Sequence, residues 1–276
     1  MNKKHIPIPE IAEKYGMRHL VFEDDFDSID TIDVDGEGTY GYKWYTTRPF
    51  RAAPLTKDDF RVENSVLYLE QHDSLYNYGL ATINPRTRQG FTFNRGVLEV
   101  RFRIPHYDAQ YAKYTERDCG GPAIWSFPPD KIFDTASEWV EMDWMEFWGT
   151  REGRFPGGHY TTSFHHHRHR DNMNKGIGEQ STSNMPGHTG PQLLGDGEWH
   201  TMTFLWDTGI VDSWIDGQQA VRQIFENGYY DPPARPQRGE EMEDPYVYMN
   251  EQFVALIING AKNNPLEIDW IRVWQR

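Results

Sequence analysis

The amino-acid sequence predicts an all-β protein, an antiparallel β-sandwich or jelly roll, and three observations carry that prediction. Short segments alternate apolar and polar residues, turn residues punctuate them, and helical periodicity is confined to Glu10 to Tyr15. Leu20 to Phe26 opens the series of expected strands, followed by Val62 to Gln71 and Leu80 to Asn84. Val97 to Ile104 shows the alternation most fully: Leu98, Val100, Phe102 and Ile104 share one face, while Glu99, Arg101 and Arg103 share the other. His159 to His165, Trp199 to Trp206, Ile210 to Ile215, Phe253 to Ile258 and Ile268 to Trp274 continue the pattern. Asn84-Pro85, Asn94-Arg95-Gly96, Asp207-Thr208-Gly209 and Asp216-Gly217 supply turns between them. Pro105 to Gly121, Asp171 to Gly197 and Asn227 to Pro245 are rich in glycine, proline and polar residues and read as long loops, the kind that often wall a functional site.

The 276 residues suit a single domain spanning 1–276, with 1–19 as an N-terminal arm. A net charge of −14 argues against nucleic acid or an anionic membrane as partner, since both would repel the chain at long range. No apolar run exceeds the six residues from Phe253 to Ile258, far short of the roughly 20 that a membrane-spanning helix needs. The opening residues lack the apolar stretch of a signal peptide before Pro7 and Pro9 interrupt them. The single Cys119 excludes an internal disulfide. Aromatic residues make up 14% of the chain against 37% for all hydrophobic residues, enough to line a sheet core and still supply flat faces to a ligand.

Chemistry concentrates in Glu138-Trp-Val-Glu-Met-Asp-Trp-Met-Glu-Phe-Trp-Gly149. Glu141 and Asp143 are two apart and share a strand face, but Glu146 is five from Glu141 and in a regular strand would enter the core. An unpaired buried carboxylate costs several kcal/mol. A one-residue β-bulge between Asp143 and Glu146 shifts the phase and puts all three carboxylates on one face. Three acids crowded together repel, so one of them can hold a proton near neutral pH. A retaining glycosidase needs such a set: one carboxylate as nucleophile and one carboxylic acid about 5–5.5 Å away. An ordinary solvated acidic strand is the competing reading, and the apolar Met142, Trp144, Phe147 and Trp148 argue against it.

Glu141-Met-Asp-Trp-Met-Glu146 has the form E-x-D-x-x-E and resembles the catalytic strand of glycoside hydrolase family 16 in its bulged, laminarinase/agarase-like version. The resemblance extends to Phe22-Glu-Asp-Asp-Phe26, to Gly96 through Pro105, and to Gly121-Pro-Ala-Ile-Trp125. It also takes in Asp196-Gly-Glu-Trp-His200 and Ile268 through Trp274. It implies a β-jelly roll whose concave face holds a glycan, and endo-hydrolysis of a β-linked polysaccharide with retention. In that scheme Glu141 is the nucleophile, Glu146 the general acid/base and Asp143 the residue that tunes the nucleophile. Trp125 matches a tryptophan near the cleavage point, where its ring can stack on a sugar, and His165 matches a histidine on the following strand. A secreted or periplasmic location goes with the resemblance, as does a monomer.

The remaining assignments are more local. Trp148 and Arg168 are expected to line the substrate cleft, and Arg151, Arg154 and Arg170 lie close enough in sequence to help hold an anionic decoration. His165 to His169 alternate faces along a strand, so they cannot all serve one metal. No cofactor is required for catalysis. The resemblance implies a structural calcium held by Asp269 and backbone carbonyls, although Asn64-Ser65 stands where the family has a glycine. The substrate is expected to be a β-glucan or β-galactan. The alternatives are a transglycosylase on the same scaffold, a non-catalytic lectin-like protein, which would dispense with one of the outer carboxylates, and a histidine-dependent metalloenzyme.

Overall fold

The computed structural model describes residues 6–38, 41–46, 55–70, 79–84, 86–105, 122–133, 135, 138–148, 159–170, 173–182, 194–226, 229–230, 252–261 and 265–276; at 138, 148, 159, 161, 163–170, 173–182, 221–226 and 229–230 only the backbone is described. In chain order the strands begin with β1 (His19–Asp24), β2 (Ile32–Asp33), β3 (Trp44–Thr46), β4 (Phe60–Glu63), β5 (Val66–Leu69) and β6 (Leu80–Ala81). Next come β7 (Gly96–Arg103), β8 (Ala123–Phe127), β9 (Glu138–Trp148), β10 (His159–Arg170), β11 (Met173–Thr182) and β12 (His200–Asp207). The series ends with β13 (Ile210–Ile215), β14 (Gln218–Glu226), β15 (Tyr229–Tyr230), β16 (Ala255–Asn259) and β17 (Leu266–Gln275). The two α-helices among the described residues are short: α1 (Glu10–Lys14) and α2 (Pro129–Ile132).

These strands form the expected antiparallel sandwich. One sheet runs β15-β14-β13-β12-β7-β17-β5-β4, with β1 also paired to β17. The other runs β11-β10-β9-β8-β16-β6-β3-β2. Among the described residues every strand pairing is antiparallel except the short β2–β3 contact at one edge. Side chains of alternate phase from both sheets meet between them, among them Leu98, Val100 and Phe102 of β7, Met142 and Phe147 of β9, Phe204 of β12, and Ile271 and Val273 of β17. Each such side chain contributes roughly 1.5–3 kcal/mol when fully buried, which makes this shared layer the main source of stability.

Two smaller apolar clusters sit on the outer faces. On the nine-stranded sheet, α1 lies over Val97, Leu205 and Trp274 through Ile11 and Ala12, joined by Met17 just beyond it, so the N-terminal arm is packed from residue 6 onward. On the eight-stranded sheet, Ile132 of α2 packs with Trp125, Phe127, Trp139, Ala255 and Ile257.

The sequence reading needs three corrections. Val62 to Gln71 is not one strand: Asn64 and Ser65 both take positive φ, 53° and 57°, and turn the chain back as a β4–β5 hairpin. The supposed loop Asp171 to Gly197 contains β11, which pairs with β10 along its length despite a composition poor in apolar residues. The loop Asn227 to Pro245 likewise contains β15. Most of Pro105 to Gly121 and of Asn227 to Pro245, with Arg151 and Arg154, lies outside the described residues.

Candidate active site

The central strand β9 carries the bulge expected from its acidic residues, and both neighbours register it. Against β10, Asp143 pairs with Ser163 and Glu146 with Thr161, so three steps on β9 match two on β10. Against β8, Asp143 pairs with Trp125 while Met145 pairs with Ile124, leaving Trp144 as the extra residue. The consequence follows in the burial. Val140, Met142, Trp144, Met145 and Phe147 all enter the inter-sheet core, whereas Glu141 and Glu146 remain partly exposed. Asp143, between them, is 4% exposed.

A bulge interrupts the ladder, and the freed backbone groups need partners. Thr162, opposite the extra residue, donates its hydroxyl hydrogen bond to the Trp144 carbonyl at 2.9 Å. The Trp144 indole N–H donates to Ser126 Oγ at 2.8 Å, which fixes the ring beneath the bulge. Phe147 N–H is taken by the Pro122 carbonyl at 2.9 Å as β8 begins. The phase shift is therefore locked by specific bonds on both flanks. Thr162 and Ser126 escape sequence reasoning because nothing in their local pattern distinguishes a bulge-bracing hydroxyl from any other buried one.

On the carboxylate side, β8 presents apolar neighbours: Ala123 is paired with Glu146 and Trp125 with Asp143, and Phe127 follows Trp125 in the same phase. Ala123 is the smallest of these and stands opposite Glu146. Trp125 is only 4% exposed, with its indole N–H donated to Asn259 Oδ1 at 2.7 Å and its ring edge-on to Phe127 at 4.7 Å. The expected open stacking surface is therefore corrected to a wedged floor residue whose ring has almost no free face. Asn259 was not singled out from the sequence; its place on β16, opposite Ala123, is a tertiary fact.

On the other flank, the backbone register sets His165 directly opposite Glu141. The backbone of Arg168 falls opposite Glu138, in the register phase of Val140 and Met142. Trp148 keeps the phase of Glu146, with His159 opposite it. Along the backbone, His165 and His167 fall in one register phase and His166 in the other.

Asp269 lies on the opposite sheet. It forms an ion pair with Arg101 of β7, and Glu267 pairs in the same way with Arg103. Both guanidiniums lie under the Trp199 ring, at 4.9 and 4.8 Å from its centre. Calcium wants several oxygen ligands with negative charge to spare. Among the described residues no group of three or more His, Cys, Asp or Glu side chains could hold a metal ion. The charge of Asp269 is matched by an arginine, which does not fit the expected calcium ligand, and no chemistry here is routed through that ion.

No protein-family model matches the chain, and no curated protein matches it in sequence. Its fold does match solved structures over nearly its whole length. The laminarinase catalytic domain from Thermotoga maritima MSB8 superposes with a TM-score of 0.51 at 17% identity, covering 94% of this chain and 98% of that one. The laminarinase from Flavobacterium sp. UMI-01 gives 0.52 at 16% identity, covering 93% and 100%. A structure from work on endo-acting O-glycanases with which prominent members of the human gut microbiota initiate mucin breakdown gives 0.54 at 17% identity, covering 93% and 99%. At such identities the likeness establishes the sandwich fold.

Proposed function

We propose that this chain is a retaining, endo-acting glycoside hydrolase of the family 16 type that cleaves a β-linked polysaccharide. The observation that carries the reading is the β9 bulge, which turns Glu146 out of the core and into the row of Glu141 and Asp143. Glu141 and Glu146 then stand about 13 Å apart along the backbone, four strand steps once the extra residue is discounted. Glutamate side chains leaning inward from either end reach the roughly 5–5.5 Å separation of a retaining pair.

In the first step the Glu141 carboxylate attacks the anomeric carbon while Glu146 gives its proton to the departing glycosidic oxygen. A covalent glycosyl-enzyme results. In the second step Glu146, now a base, takes a proton from water, and the hydroxide formed displaces Glu141 with net retention. Asp143, drier than either glutamate, is the electrostatic partner that orients and tunes Glu141. Dry apolar neighbours on β8 strengthen these charge interactions. The similar structures bear the names of laminarinases and of endo-acting O-glycanases, which supports attack within a glycan chain while leaving two glycan types to compare. The net charge of −14 favours an uncharged glucan or galactan backbone.

The test is product analysis on soluble β-1,3-glucan, mixed-linkage β-glucan, β-galactan and mucin, using mass spectrometry for fragment length and NMR for the first anomer released. Wild type should release internal fragments of retained configuration. Glu141→Gln and Glu146→Gln should each lose at least about a thousandfold in rate at unchanged melting temperature. Half the wild-type rate in either variant, or an inverted first product, would remove the mechanism. Transfer products at high substrate concentration would identify a sugar hydroxyl in place of water as the acceptor.

A further inference from the structure

We infer that Phe253 is a stacking platform for a sugar ring of the bound glycan, at the end of the carboxylate face farthest from Glu146; this rests on the function proposed above. Among the described residues Phe253 is the most exposed large apolar side chain, at 58%. Its phase places it on the right face. Val254, Leu256 and Ile258 enter the inter-sheet core, while Ala255 and Ile257 lie in the outer cluster with Trp125, and Phe253 precedes Ala255 by two. Ala255 pairs with Phe127, whose strand neighbours β9. Two strand spacings across and two residues along put Phe253 roughly 12 Å from Glu141, too far for the cleavage point and suited to a ring farther along the chain.

An exposed phenylalanine can be incidental. Here the backbone on both sides of it is pinned, and one pin is the catalytic strand itself. Gln252 clamps Val140 of β9, accepting from its N–H at 3.2 Å and donating to its carbonyl at 2.9 Å. Asn94 donates to the Gln252 carbonyl at 2.6 Å. Val254 exchanges both backbone bonds with Phe93, at 2.8 and 3.0 Å. The ring is thus carried on a preorganised backbone fixed relative to Glu141, which lowers the ordering cost of using it. A pyranose presents an apolar C–H face, and covering the open phenyl ring with it removes apolar surface from water. The buried Trp125 cannot do this.

The experiment compares wild type, Phe253→Ala and Phe253→Trp on the polymer that wild type cleaves and on its short and long oligosaccharides, with gel retardation by β-glucan and β-galactan as a binding readout. Phe253→Ala should raise KM for polymer and long oligosaccharides about tenfold, with kcat within twofold and short oligosaccharides unaffected. Phe253→Trp should restore or tighten binding, and melting temperatures should match. An active wild type with Phe253→Ala indistinguishable at every chain length overturns the platform alone. A wild type that neither cleaves nor is retarded by any glucan or galactan overturns both the cleft reading and the platform.

Discussion

The chain uses nearly the same hexapeptide twice, once on each sheet. In β9 it is Glu141-Met-Asp-Trp-Met-Glu146, and in β17 it is Glu267-Ile-Asp-Trp-Ile-Arg272. Both copies contain a register shift, after Asp143 in one and at Asp269 in the other, so that the first, third and sixth residues of each avoid the inter-sheet core. The neighbouring strand makes the difference. Beside β17 runs β7, whose Arg101 and Arg103 meet Asp269 and Glu267. The sixth position is itself an arginine, paired with Asp25 at 2.8 Å and stacked on Trp270 at 4.1 Å. Beside β9 runs β8, which offers Ala123, Trp125 and Phe127. The same backbone device therefore sets acids beside the arginines of β7 on one sheet and acids beside the apolar side chains of β8 on the other. On the function proposed, an E-x-D motif acquires chemistry from its sixth residue and from the strand next door.

The sharpest way to break this comparison is to make the same substitution in both copies. Asp143→Asn should reduce the hydrolysis rate by about 10²–10³-fold, as for the loss of one preorganised electrostatic partner, with KM nearly unchanged. Asp269→Asn should leave the rate untouched and cost at most about 1 kcal/mol of stability, because its pair with Arg101 is partly solvated. Steady-state kinetics and denaturant melts on the two variants decide it. Equal rates for Asp143→Asn and wild type would mean that the two hexapeptides do not differ in kind.

A smaller effect probes the bulge itself. Thr162→Val keeps the volume but removes the buried hydroxyl that donates to the Trp144 carbonyl. The expected loss is about 1–3 kcal/mol of stability. Because the phase of Glu146 depends on that bulge, kcat should fall several-fold more than for a core variant of equal stability cost, such as one at Ile271 on the other sheet. A kcat that merely tracks stability would assign Thr162 to the scaffold.

Much of this was legible in the sequence because period-two alternation and carboxylate spacing are local signals. Glu146 betrayed the bulge: an acid out of phase with Glu141 must be either ruinously buried or shifted, and the chain is shifted. Features decided by long-range contacts were illegible. β11 has no apolar face to announce it and exists because β10 supplies a ladder to pair with. Asn64-Ser65 turns a hairpin with neither proline nor glycine, through two positive φ angles that only asparagine favours locally. Trp125 looked like a stacking residue, yet it is buried among distant residues and donates its indole N–H to Asn259, 134 residues away.

The least of the expected effects concerns pH and belongs to the β17 side of the comparison. Glu99, between Thr203 and Arg272 on that face, is pushed up to about 7, burial outweighing the pull of Arg272. Burial alone would lower His200, yet hydrogen bonds to Asp216 at 2.8 Å and Asp196 at 3.1 Å hold it above its ordinary value. Both groups bind their protons more tightly when folded, so each contributes stability that is complete below its unfolded pKa and fades as pH rises through its folded one. For Glu99 that window runs from about 4.5 to about 7, and for His200 it begins near 6.5. The melting temperature should therefore decline between pH 5 and pH 8, with Glu99 accounting for about 2–4 °C. Glu99→Gln carries no titrating proton there, so its decline should be shallower by that amount, leaving the part due to His200. An unchanged slope in Glu99→Gln would show that this carboxyl ionises as freely in the folded chain as in the unfolded one, and the β7–β17 face would then be inert to pH at that position.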